Sequence, residues 1–342
     1  MKRFLGILAL VVLLVVTSCT HKELCIDHRE HAHHFHINVL ADYRLDWEEC
    51  YGGINWITSW PENYLDYDAL RPTKPKGLRV VNYNSSGNHN ISNMKADGGV
   101  VSLYEGVNRI LFYNNDTEYI VFSQHFDDAT TRATTRATTR AVTRSTYMGS
   151  PFVEETETTV SAPDMLFANY IDGYIAEKSL EPIDVPIVLQ PLVYTYKIRY
   201  EFAEGLKYVS LTRGALTGMA QSVDMNTGET SANVITIVYD CVLTDFGARA
   251  LVNSFGVPGY PNANYPTRSG KHALNLEVML KNGKRITFDF DVTDQVEAQP
   301  HGGVIVVSGI VVKEEDGVQG SGGFDVDVSD WGPYEDILLP LF

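Results

Sequence analysis

Gly99-Val100-Val101-Ser102-Leu103-Tyr104-Glu105-Gly106-Val107-Asn108-Arg109-Ile110-Leu111-Phe112-Tyr113-Asn114-Asn115-Asp116-Thr117-Glu118-Tyr119-Ile120-Val121-Phe122 is the stretch from which the fold is read. It holds three runs of apolar and β-branched residues, at 99–103, 110–113 and 119–122. Glu-Gly-Val-Asn separates the first two and Asn-Asn-Asp the last two, and both carry turn chemistry. A parallel pair needs a crossover of a dozen or more residues, which these spacings do not provide. The stretch therefore predicts antiparallel β-structure.

The same pattern extends both ways. Ile37–Tyr43 and Leu78–Tyr83 precede it, and Asp164–Ile175 and Val185–Leu189 follow. Pro182, Pro186 and Pro191 cluster at the end of this set, and the long alternating run Val193–Phe202 begins another. Lys207–Thr212, Ile235–Val242, Leu274–Leu280, Ile286–Val292, Val304–Val312 and Phe324–Val328 continue it. Asn226-Thr227-Gly228 and Lys281-Asn282-Gly283-Lys284 read as hairpin turns. One helix is expected over Thr244–Phe255, with Thr244 as its N-cap and Gly256 as its stop. The reading is all-β, with two domains at 37–190 and 191–342. Thr130–Arg144 repeats Thr-Thr-Arg-Ala, with Arg132, Arg136, Arg140 and Arg144 four apart. Threonine disfavours helix, and of the four arginines only Arg132 has an acid at i±4, Asp128, so 129–147 is expected to be a disordered insert.

The N-terminus reads as an address. Lys2 and Arg3 precede an apolar run of 13 residues, Phe4–Val16, against about 20 for a membrane-spanning helix. Val16-Thr17-Ser18-Cys19 then looks like a bacterial lipobox, which makes 1–18 a lipoprotein signal peptide and Cys19 the lipidation site. The mature chain is expected to be held at a membrane through that lipid. Cleavage removes Lys2 and Arg3 and no acid, taking the net charge from −16 to −18. An acidic chain of this kind is no candidate for general nucleic-acid binding, which needs cationic surface. Of the four cysteines, Cys25, Cys50 and Cys241 remain as thiols. Cys25 and Cys50 are either a bridge or two buried thiols.

Candidate chemistry is sparse. Residues 19–36 form a His-rich tether, in which His28, His31 and His33 are the weak metal candidates. His28-Arg29-Glu30-His31 lacks the spacing that sets two ligands on one helical face, so no metal and no cofactor is expected. Asp325, Asp327, Ser329 and Asp330 faintly suggest a calcium loop, without its glycine or its bidentate glutamate. Trp56 and Trp60, among the tyrosines Tyr51, Tyr64 and Tyr67, either stack on sugar rings or cover a small β core. No nucleophile elbow, P-loop or dinucleotide fingerprint occurs, and no enzyme is expected.

Cys19-Thr20-His21-Lys22-Glu23-Leu24-Cys25 with Asp27-His28, Leu111 to Tyr119, Gly214 to Glu229 and Asp330-Trp331-Gly332-Pro333-Tyr334 resemble an uncharacterised family of Bacteroidetes surface lipoproteins, DUF5119. That family is similar to the minor fimbrial subunits and anchors of type V pili. The resemblance implies two tandem transthyretin-like antiparallel β-sandwich domains after a lipidated cysteine. It also implies an outer-membrane, surface-exposed fimbrial anchor or minor subunit that meets fimbrial subunits by strand addition. The competing reading is a surface glycan- or ligand-binding lipoprotein that uses Trp56 and Trp60. An edge strand offers unpaired N–H and C=O groups to a partner, which suits the assembly role.

Overall fold

The computed structural model describes residues 34–46, 71–126, 130–135, 157–261 and 272–318. Among these the chain is nearly all β. The first half supplies β1 (His36–Tyr43), β2 (Gly77–Asn84), β3 (His89–Lys95), β4 (Gly98–Ser102), β5 (Gly106–Asn114), β6 (Ile120–His125), β7 (Thr130–Thr135), β8 (Thr158–Ser161), β9 (Phe167–Ala176) and β10 (Ile183–Pro191). The second supplies β11 (Tyr194–Glu204), β12 (Val209–Ala220), β13 (Ser222–Asp224), β14 (Val234–Asp240), β15 (Val242–Leu243), β16 (Gly247–Ser254), β17 (Ala273–Leu280), β18 (Arg285–Asp291) and β19 (Gly303–Val311). Two short helices, α1 (Thr293–Glu297) and α2 (Glu314–Gly317), flank β19.

Seven strands of the first half close into a barrel in the order β1-β10-β9-β5-β2-β3-β4. The quoted stretch explains why. Asn108 is fully buried; its side chain accepts from the Tyr104 N–H at 2.9 Å and donates to the Tyr104 and Gly106 carbonyls at 2.8 and 2.9 Å. That fixes the turn into β5. Asn114 does the same at the other end, accepting from the Phe167 N–H at 2.7 Å and donating to Asp116 and to the Met165 carbonyl. Between these two asparagines, Ile110 and Phe112 face the barrel interior with Leu78, Val80 and Phe167. Leu111 and Tyr113 face outward and are buried all the same, with Val81 and Tyr83 of β2. Burial on both faces is what an uninterrupted apolar run signals in a strand.

The cover on that outer face is a three-stranded sheet in the order β13-β7-β6. Ile120, Ala133 and Val223 point from it onto Leu111 and Tyr113. It draws β13 from the second half of the chain and β6 and β7 from the first. The second half is otherwise a sandwich, with β15-β16-β11-β19 facing β18-β17-β12-β14-β8. Its core alternates as two-sheet packing requires: Tyr196, Ile198 and Tyr200 of β11 point inward against Leu274, Leu276 and Val278 of β17. Three pairs are parallel, namely β1 with β10, β11 with β19 and β14 with β8. In the last of these, β8 of the first half joins the sandwich.

Two expectations need correction. The helix over 244–255 is β16, paired antiparallel with β11 from Tyr194↔Ser254 to Glu201↔Gly247. Thr244 does not cap a helix. Its N–H donates to the Gly247 carbonyl at 2.8 Å, which makes 244–247 the turn between β15 and β16. Ala248, Ala250 and Val252 then enter the core at period two, and that burial outweighs the helix propensity of the alanines. Nor is the Thr-Arg insert disordered from its start. Thr130–Thr135 is β7, paired with β6 on one side and β13 on the other. Its four β-branched threonines, at 130, 131, 134 and 135, suit a strand. The expected strand at Phe324–Val328 lies outside the described residues.

Candidate functional site

A strand is a docking site only where its outward N–H and C=O groups are unspent. In the first half β4 pairs with β1 over His36↔Ser102 to Leu40↔Gly98 and closes the ring, but β3 meets β4 only at Lys95↔Gly98 and β9 meets β10 only at Gln190↔Ala168 and Pro191↔Phe167, so among the described residues the rest of those facing edges pair with no strand. The sandwich has ends. Among the described residues its sheets terminate in β15 and β19, and in β18 and β8.

β19 is the longest of the four and carries no charged residue, Gly-Val-Ile-Val-Val-Ser-Gly-Ile-Val. Such a strand invites wrong pairing. The local sequence prevents it. Asp291 Oδ1 accepts from the Thr293 N–H at 2.9 Å and starts α1, and Val296 anchors that helix in the core. Gln295 on α1 and Gln299, two residues past its last helical residue, then reach β19. Gln295 Oε1 accepts from the Val306 N–H at 2.9 Å, and its Nε2 donates to the Val306 carbonyl at 3.0 Å. Gln299 Oε1 accepts from the Val304 N–H at 2.7 Å, and its Nε2 donates to the Val304 carbonyl at 2.8 Å. Each primary amide repeats the donor–acceptor pair of a peptide unit, so the two side chains act as a surrogate neighbouring strand. Tyr196 supports them by donating its hydroxyl hydrogen to the Gln299 carbonyl at 2.8 Å. Gly303 makes the room: a Cβ there would lie 2.0 Å from Gln299 Oε1.

Removing both amides tests the seal. Gln295→Ala/Gln299→Ala deletes the four hydrogen bonds to β19, and a fifth from Gln299 Nε2 to the Gln295 carbonyl, each with a net contribution of about 0.5–1.5 kcal/mol, while water can still reach the freed groups. A loss of about 2–4 kcal/mol in a denaturant titration is expected. Light scattering is expected to show concentration-dependent association, because an unsealed apolar edge recruits a second strand.

Other groups carry less chemistry. The Cys241 thiol is pushed well above its ordinary value by burial and by the charge of Asp240, which favours its protonated form. Among the described residues no group of three or more His, Cys, Asp or Glu side chains could hold a metal ion. No described helix is long and apolar enough to cross a membrane. Cys19, His28, His31, His33, Trp56 and Trp60 lie outside the described residues, as do Cys25, Cys50 and the acids at 325, 327 and 330. Gln295 and Gln299 escaped the sequence reading. Their signal was two glutamines at i and i+4 directly ahead of an apolar strand.

Over 310 residues the chain is 24% identical to Fim4B of Bacteroides ovatus, an inferred fimbrium anchoring subunit, covering 81% of this chain and 88% of that one. The crystal structure of an inferred adhesin from Bacteroides ovatus superposes with a TM-score of 0.55 at 19% identity, covering 86% of this chain and 99% of that chain. The two therefore share a fold. The fimbrial anchor protein Mfa2 from Porphyromonas gingivalis gives a TM-score of 0.41 at 12% identity, over 80% of this chain and 90% of that one. A family pattern described as a domain of unknown function, DUF5119, matches residues 64–240. That span takes in β2 to β14, from the barrel into the sandwich, and so the chain belongs to the DUF5119 family.

Proposed function

We propose that the protein is a cell-surface fimbrial lipoprotein, an anchor or minor subunit, held in the outer membrane by lipid on Cys19. The observation that carries this is the match to Fim4B along four-fifths of the chain. In this reading residues 1–18 are the signal peptide, 19–36 the tether, and 37–190 and 191–342 the two domains. Fimbrial subunits are the partners. A strand from one of them fits an edge of the sandwich other than the sealed part of β19. Main-chain hydrogen bonds would supply affinity, and alternate side chains the selectivity.

The test is genetic. Deleting the gene in the native host is expected to leave fimbriae assembled but shed into the medium. Cys19→Ala is expected to move the protein from the membrane fraction to the soluble fraction and to produce the same shedding. Fimbriae retained on the deletion strain would defeat the anchor role.

A further inference from the structure

We propose that the β7 position is a slot that successive Thr-Thr-Arg-Ala units of this chain fill interchangeably, so that the strand can slip by whole repeats. β7 is the middle strand of its sheet. Ala133 faces Phe122 on β6 and Val223 on β13 and is fully buried. Thr131 is fully buried too; its N–H donates to Asn226 Oδ1 at 3.0 Å, and its carbonyl accepts from the Met225 N–H at 2.8 Å. Arg132 points to the other face, exposed, in register with Ser123 and Asp224. The slot thus asks for a small apolar residue inward, a threonine two residues before it, and a solvated arginine between them beside Asp224.

The chain meets that request three times. Residues 134–139 read Thr-Thr-Arg-Ala-Thr-Thr, identical to 130–135, and 138–143 read Thr-Thr-Arg-Ala-Val-Thr. Side chains alternate faces with period two, so a slip of one residue would invert the strand, whereas a slip of four returns every side chain to its own face. Ala137 or Ala141 then takes the place of Ala133, and Arg136 or Arg140 that of Arg132. The connections adjust at both ends. The link from His125 lengthens as the link to Thr158 shortens, and loop closure changes only slowly with length. A consequence is that the number of repeats can vary without loss of the sheet that covers Leu111 and Tyr113.

An inward charge reads the register. Ala133→Asp puts a carboxylate into an apolar cluster if β7 is fixed, but four residues of slip bring Ala137 into its place. The variant is therefore expected to melt with the wild type. Ala133→Asp/Ala137→Asp/Ala141→Asp has no acceptable unit and is expected to melt lower. In the Ala133→Asp background, Ser123→Cys is expected to cross-link within the chain to Arg136→Cys, and not to Arg132→Cys, by peptide mapping after a short bifunctional thiol reagent. The proposal is overturned if the single variant melts as low as the triple, if the triple melts with the wild type, or if the Arg132→Cys link persists. Links between two chains would also overturn it, because the repeat would then fill the slot of a second copy.

Discussion

Gly98→Ala is expected to open the barrel. Gly98 has φ +104°, in a region that L side chains rarely adopt. It stands where β4 meets β1, opposite Leu40. A Cβ there would lie 1.9 Å from the Val39 carbonyl oxygen and 2.7 Å from the Val39 carbonyl carbon. Both are backbone atoms of the neighbouring strand, so no side chain can rotate out of the way. Backbone strain and overpacking each cost about 1–3 kcal/mol, which together give about 4 kcal/mol. That is a large part of the roughly 5–15 kcal/mol that holds a domain folded. Gly87→Ala is the control, because Gly87 has φ +79° and a methyl group there would meet nothing within 4 Å. It should show the strain alone, about 1–2 kcal/mol. Parting β4 from β1 also exposes two further edges, so Gly98→Ala should associate as well as melt early, and Gly87→Ala should not. Equal melting of the two variants would refute the closure role.

Strand positions were legible because their cause is local. Leu274–Leu280 and Ile286–Val292 lie within a residue or so of β17 and β18, with Asn282-Gly283 at the turn, and the Gly283 N–H donates to the Leu280 carbonyl at 2.9 Å. What could not be read was decided at a distance. Ala248 to Val252 suits a helix until β11 offers itself as a neighbour. Thr130–Thr135 reads as low complexity until β13, some ninety residues later, pairs with it. β3 (His89–Lys95) alternates with His89, Ile91, Asn93 and Lys95 on its exposed face and carries little apolar signal of its own. It forms because β2 pairs with it along its whole length. The site followed the same division. That edge strands would matter was inferable from an all-β reading, but which edge is sealed depends on two glutamine side chains meeting Val304 and Val306.

Gly214→Ala is expected to destabilise the sandwich by about 3 kcal/mol, through a clash and a broken hydrogen bond together. Gly214 on β12 lies opposite Tyr239 on β14, and the Tyr239 ring lies over it. A Cβ at 214 would come within 2.2 Å of Tyr239 Cε2 and 2.4 Å of its Cζ. The ring cannot yield freely, because its hydroxyl is 2.8 Å from that of Tyr200 on β11, in the facing sheet. Tyr200 is fully buried, and burial raises its hydroxyl well above the ordinary tyrosine value, so it stays protonated. Pushing Tyr239 aside strands that hydroxyl between the sheets, where an unmet hydrogen bond costs about 1–3 kcal/mol. The two sites should therefore couple. Tyr239→Ala removes the ring that Gly214→Ala would strike, the source of the three nearest atoms, so in the double variant most of the glycine penalty disappears. A double-mutant cycle read by denaturant titration should give a coupling of roughly 1–3 kcal/mol, within the range found for residues in contact. Strict additivity would mean that the spacing of the two sheets does not depend on the bare backbone at position 214.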